Sequence, residues 1–156
     1  MSVVRKLATS DNSIWTSTVS GGKIEEWSPL GRPRQRLSLQ DEDLLREAPM
    51  RLDLTQQTPP ALVSDIHWTE DGLLWVFVTA PASGFRPSPE VRRSQPEQIY
   101  DGLVYVVDPI EHVVITRARF DAIVRPLSEG WAYHLYSTPD GDRRIVLGQL
   151  RFRAQP

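Results

Sequence analysis

The chain has 156 residues, 40% hydrophobic and 24% charged, with a net charge of -2 and no cysteine. That length suits one domain with a real core and is too short for two large ones. The slightly negative balance argues against a nucleic-acid surface, which needs a basic face to neutralise phosphates. The missing cysteines exclude disulfides, thiolate nucleophiles and cysteine-ligated zinc. No stretch approaches the roughly 18 apolar residues of a membrane span. The N-terminus, Met1-Ser2-Val3-Val4-Arg5-Lys6, lacks the basic-then-apolar order of a secretory signal, so the expectation is a cytosolic or already truncated chain.

From the N-terminus onward the pattern is β almost throughout, with Val, Ile, Trp, Tyr and Phe alternating in short runs bounded by Gly, Pro, Asp and Ser. Val3 to Val19 predicts a hairpin that turns at Asp11-Asn12 and carries Trp15 on its second strand. Gly21-Gly22 leads into Lys23 to Trp27, and Ser28-Pro29-Leu30-Gly31 into Arg34 to Leu39, completing a four-stranded meander over about 1–40. The stretch from 40 to 61 breaks the pattern. Its Asp41-Glu42-Asp43-Leu44-Leu45 run can cap a single helical turn, but a loop with little regular structure is expected.

A second repeat covers 61–121: a hairpin from Val63 to Val78 turning at Asp71-Gly72, a Pro- and Ser-rich loop over about 80–98, and strands over Gly102 to Asp108 and Val113 to Phe120. That loop holds charges of both signs, and mobility is expected of it. Ser28-Pro29 and Asp108-Pro109 each put proline, with its fixed φ, at the first central position of a turn. A third repeat covers 122–156, with a hairpin turning at Glu129-Gly130, a turn at Pro139-Asp140-Gly141-Asp142 and a strand from Arg144 to Phe152, and no clear fourth strand.

The hairpin phrase thus occurs three times, with Trp15, Trp75 and Tyr133 at matching places three or four residues past the turn. Repeated hairpins at a long period predict an all-β chain of antiparallel meander blades, about three blades of a six-bladed β-propeller. The three aromatics are expected on buried strand faces between neighbouring blades. The basic clusters Arg32, Arg34, Arg36 and Arg143, Arg144 are expected to be solvated strand faces or turns.

Gly72-Leu73-Leu74-Trp75-Val76, Ile24-Glu25-Glu26-Trp27-Ser28-Pro29-Leu30-Gly31 and Val104-Tyr105-Val106-Val107-Asp108-Pro109 resemble strings of bacterial six-bladed, NHL-like β-propellers. The resemblance covers nearly the whole chain and implies blade architecture. It departs from that family in length, since six blades need about 250 to 350 residues. It implies half of a longer protein, two copies closing one ring as a homodimer, or an open stack of sheets.

Asp65 and His67 alternate onto one face of the first strand of the second repeat, and inner propeller strands line the central channel. An Asp and a His facing a channel can bind a metal or share a proton. The same positions hold Arg5 and Leu7 in the first repeat and Ile123 and Arg125 in the third, so no ring of repeated ligands exists. A polar channel wall is the favoured reading, and Asp65, His67, Arg5 and Arg125 are the candidate ligand-binding residues. No catalytic residue, metal site or cofactor is assigned. His112 falls in an exposed turn and His134 on a strand, half-buried. Propeller lactonases are similar only in architecture and hold a divalent metal with Glu, Asn and Asp from separate blades; here Asn12 is the only asparagine, and it lies in a turn. Three functions follow: a non-enzymatic scaffold binding a protein or small ligand through its loops or channel, a half-propeller that assembles as a homo-oligomer, or a metal-dependent lactonase or hydrolase.

Overall fold

Strand-forming runs separated by tight turns generate three antiparallel meanders in the computed structural model. It describes residues 5–10, 12–45, 52–91, 96–128, 130–138 and 140–151, with only the backbone described for Arg5 and Lys6. Asp11, Glu129 and Pro139, expected in turns, lie outside the described residues, as do the proposed strand residues Val3, Val4 and Phe152. The first sheet is β1 (Arg5–Ser10), β2 (Ser13–Thr18), β3 (Lys23–Trp27) and β4 (Pro33–Ser38) in that spatial order. The second is β5 (Leu62–Trp68), β6 (Leu74–Pro81), β7 (Tyr100–Asp108) and β8 (Val113–Phe120). The third holds β9 (Val124–Pro126), β10 (Trp131–Ser137) and β11 (Arg143–Gln149). The chain is therefore all-β, and among the described residues no sheet closes on itself.

The sheets stack face to face through their first strands. β5 touches both β1 and β9, and the Val63 amide donates to the Val19 carbonyl at 2.7 Å. Period-2 alternation decides what each face buries. Ala8, Trp15, Ile24 and Leu37 of the first sheet pack against Val63, Ile66, Leu74, Val76, Val78, Leu103 and Tyr105 of the second. The opposite face of the second sheet, with Trp75, Phe77, Val104 and Val106, packs against Val124 and Ala132 of the third. Because the middle sheet is covered on both sides, β6 and β7 read as continuous apolar runs rather than alternating ones.

Two glycines are required by geometry. Gly72 closes the β5–β6 turn at φ +79°, donating its amide to the Thr69 carbonyl at 3.0 Å. On β7, a Cβ at Gly102 would lie 2.5 Å from the Ala122 carbonyl oxygen and 2.9 Å from the Val124 amide nitrogen, so glycine lets the link into the third sheet cross close to the second.

The described part of the 40–61 stretch holds one helical turn, α1 (Glu42–Leu45), where the Asp41 carboxylate accepts from the Asp43 amide at 3.0 Å. It is anchored rather than free. Leu44 is fully buried in the core between the first two sheets, and Leu54, Pro59, Pro60 and Ala61 are buried as well. Positions 46–51 and 92–95 of the two long connections lie outside the described residues.

On the first sheet the Glu26 carboxylate is held by Ser13, by Gln35 at 2.8 Å and by Arg34 at 3.2 Å. Burial alone would raise its pKa, but those hydrogen bonds and the Arg34 charge outweigh it and hold the carboxyl below the ordinary range. A lowered folded value means stability that is present above the unfolded-state value, near about 4.3, and lost as pH falls through it towards the folded value. The wild-type Tm is expected to fall more steeply between about pH 6 and pH 3 than that of Glu26→Gln. Parallel Tm profiles would remove Glu26 as a source of acid lability.

Candidate functional site

His67 and Trp75 are cross-strand partners on β5 and β6, and the bulge at Ser64 brings Asp65 opposite Phe77. The register therefore puts Asp65 and His67 on one face, the one turned towards the third sheet. There the tip of the β5–β6 hairpin, the β9–β10 turn and the end of β11 enclose an open cleft of about 830 Å³. His67, Glu70 and Asp71 line it together with Trp75, Ser128 and Arg151. An apolar slot of about 250 Å³ continues from it between the two sheets, walled by Val104, Val106 and Phe120, with Trp75, Leu150 and Arg151 common to both.

Asp65 and His67 share a face without sharing a proton. The Asp65 carboxylate accepts from the Ile66 amide at 2.9 Å, and no hydrogen bond between the two side chains is present. Arg125, on β9, pairs across with Tyr133 and points to the opposite face of the third sheet, where it lines a shallow pocket of about 210 Å³ with Ile123, Leu135, Pro96 and Glu97. Arg5 is placed in β1 opposite Thr18, and its side chain lies outside the described part of the structure. The four candidate residues thus sit on the first strands of three adjacent sheets, and Arg125 is separated from Asp65 and His67 by the thickness of the third sheet. Among the described residues no group of three His, Asp or Glu side chains is arranged to hold a metal ion.

The second polar constellation was not anticipated from the sequence. Arg117 and Arg119 alternate onto one face of β8, the face that meets α1. Arg117 lies 3.2 Å from Asp41, which also accepts from the Tyr105 hydroxyl at 2.5 Å. Burial, reinforced by that hydrogen bond and by the Asp41 charge, pushes the Tyr105 phenol well above its ordinary range, so it stays a neutral donor. Arg119 reaches Asp43 at 3.5 Å, Asp101 at 2.7 Å and the Pro81 carbonyl at 3.0 Å. Asp101 also accepts from the Ser83 amide at 2.8 Å. These side chains satisfy one another and staple both long connections to the second sheet, which is a structural task. The only sequence signal for it is the Arg-Ala-Arg alternation at 117–119 facing Asp41-Glu42-Asp43, which pairs only once α1 is placed.

The third feature is a surface. On the face of the third sheet turned away from the second, Tyr133, Leu135, Ile145 and Leu147 lie side by side, with Arg125 at its β9 side. Leu135, Ile145 and Leu147 are 47%, 64% and 60% exposed. Trp15 and Trp75 hold the matching positions of the first two sheets, and both are buried against the next sheet along. Comparison with known proteins returns no match: no family model, curated protein or solved structure is significantly similar to this chain.

Proposed function

We propose that the chain is a non-enzymatic β-propeller-type scaffold, its three sheets standing as successive blades, that binds a protein partner through the uncovered face of the third. One observation carries this reading: the Tyr133 face is the repeat equivalent of the Trp15 and Trp75 faces, yet no described sheet covers it, and with only Pro96 and Glu97 near its β9 side Leu135, Ile145 and Leu147 stay exposed. Aliphatic side chains this exposed and contiguous mark interaction surfaces on soluble proteins. A face built to receive another sheet favours a partner that presents β-structure, whether further blades or a second chain.

The test is the double variant Leu135→Lys with Leu147→Lys. Both positions are exposed, so its Tm is expected to stay within a few degrees of wild type. The wild-type chain should bind an apolar fluorescent probe, anilinonaphthalene sulfonate, in its native state, and the variant should bind at least about five times less. Equal probe binding by the two proteins would make this an ordinary surface and sink the proposal.

A second reading rests on the cleft beside His67. Its volume falls in the range of small-molecule sites, and its apolar slot adjoins polar groups of both signs, which suits a small ligand better than a hydrolytic metal.

A further inference from the structure

Among the described residues the third sheet has three strands where the other two have four. The first and second sheets each end in a fourth strand, β4 or β8, whereas β11 is itself the outer edge of the third. All seven residues of β11 are exposed, and no further described strand pairs with it. An edge strand presents a row of unpaired N–H and C=O groups and recruits another strand unless it is blunted. The β4 edge is blunted, opening with Pro33 and carrying Arg34 and Arg36, and β8 carries ion-paired Arg117 and Arg119 over its second half beside an exposed Val113-Val114-Ile115 run. On β11 the charges sit only at one end, at Arg143 and Arg144, followed by Ile145-Val146-Leu147-Gly148-Gln149.

We infer that β11 is a docking edge for a second copy of the same strand, the two running antiparallel about a twofold axis at Val146. The order of residues makes this register self-complementary. Val146 meets Val146 of the second copy, Ile145 meets Leu147, Arg144 meets Gly148 and Arg143 meets Gln149. Apolar residues oppose apolar ones, and no arginine faces another, which removes the like-charge cost of a directly opposed pair. A shift of the register by two residues per strand would set Arg144 against Arg144. Gly148 leaves open space where a side chain would stand, with nothing within 4 Å of its Cβ position, and the long Arg144 side chain of the second copy fits there. The result is a continuous six-stranded sheet made of two three-stranded ones. It goes beyond the function proposed above, because the pairing uses the edge of the third sheet and leaves the Tyr133 face open to a partner.

The experiment measures solution mass of the full chain by light scattering over a micromolar concentration range. Wild type is expected to reach twice its 17.7 kDa. Val146→Lys sets like charges opposite each other at the axis and is expected to weaken the dimer at least about 100-fold. Val146→Glu should do the same, and an equimolar mixture of the two variants should restore the dimer. Leu135→Lys, on the face but not the edge, should dimerise as wild type does. Circular dichroism and Tm of each variant confirm folding, and the mixture guards against a merely misfolded variant. A wild-type chain that is monomeric throughout overturns the edge pairing, and if it still binds the apolar probe, the scaffold reading survives. A dimer lost in Leu135→Lys but kept in Val146→Lys overturns it as well, by moving the contact to the face.

Discussion

Replacing Trp15 with alanine is expected to destabilise the chain by about 3–5 kcal/mol. That is a large share of the 5–15 kcal/mol that holds a typical domain together. Trp15 is 2% exposed and stacks on Trp68, ring centroids 5.7 Å apart and planes within 14°. The pair fills the space where the first sheet meets the second, so alanine leaves a void that two stiff sheets cannot close. Its indole N–H has no partner among the described residues, so Trp15→Phe loses no hydrogen bond there and should keep more than half of the difference. Urea unfolding followed by circular dichroism measures both. A loss below about 1 kcal/mol for alanine would mean that the two sheets are not held by this contact.

Arg119→Met is the second large effect, expected to cost about 3 kcal/mol. Asp101 is only 5% exposed, and Arg119 is its sole charged partner among the described residues. Among the described residues, removing the guanidinium leaves a buried carboxylate with the Ser83 amide alone, and it also takes the guanidinium from Asp43 and the Pro81 carbonyl. Combining the change with Asp101→Asn removes the stranded charge, so the double variant should be more stable than the sum of the two single losses by about 1–2 kcal/mol. The cycle separates the ion pair from the bulk of the arginine side chain. Strict additivity would show that the staple acts through packing. Hydrogen exchange at the Ser83 amide adds a local readout, expected to quicken in Arg119→Met before global unfolding does.

Much of the architecture was legible in the chain. Most strands announce themselves through alternating β-branched and aromatic residues, and most tight turns through Gly or Pro, as at Gly21-Gly22, Ser28-Pro29, Asp71-Gly72 and Asp108-Pro109. The grouping into three meanders followed from the recurrence of one hairpin phrase. The helical turn at Glu42–Leu45 was the harder reading, because four residues carry too little periodicity to separate a helix from a loop. The first strand of the third repeat is only three residues long, Val124–Pro126, and ends on the proline, which has no amide to continue the ladder.

The candidate site was legible only in part. Period-2 alternation was enough to put Asp65 and His67 on one face, because that rule acts within a strand. Which neighbour the face meets depends on how sheets stack, and neither the cleft beside Trp75 nor the separation of Arg125 from His67 can be read from spacing. The same holds for Asp101 and Arg119, eighteen positions apart in the chain and 2.7 Å apart in space. Local chemistry therefore decided the strands, the turns and the repeat, because propensity and alternation are properties of a few consecutive residues. Tertiary structure alone decided which matching faces are covered: Trp15 and Trp75 are buried and the Tyr133 face stays open, because burial belongs to the neighbouring sheet and not to the residue.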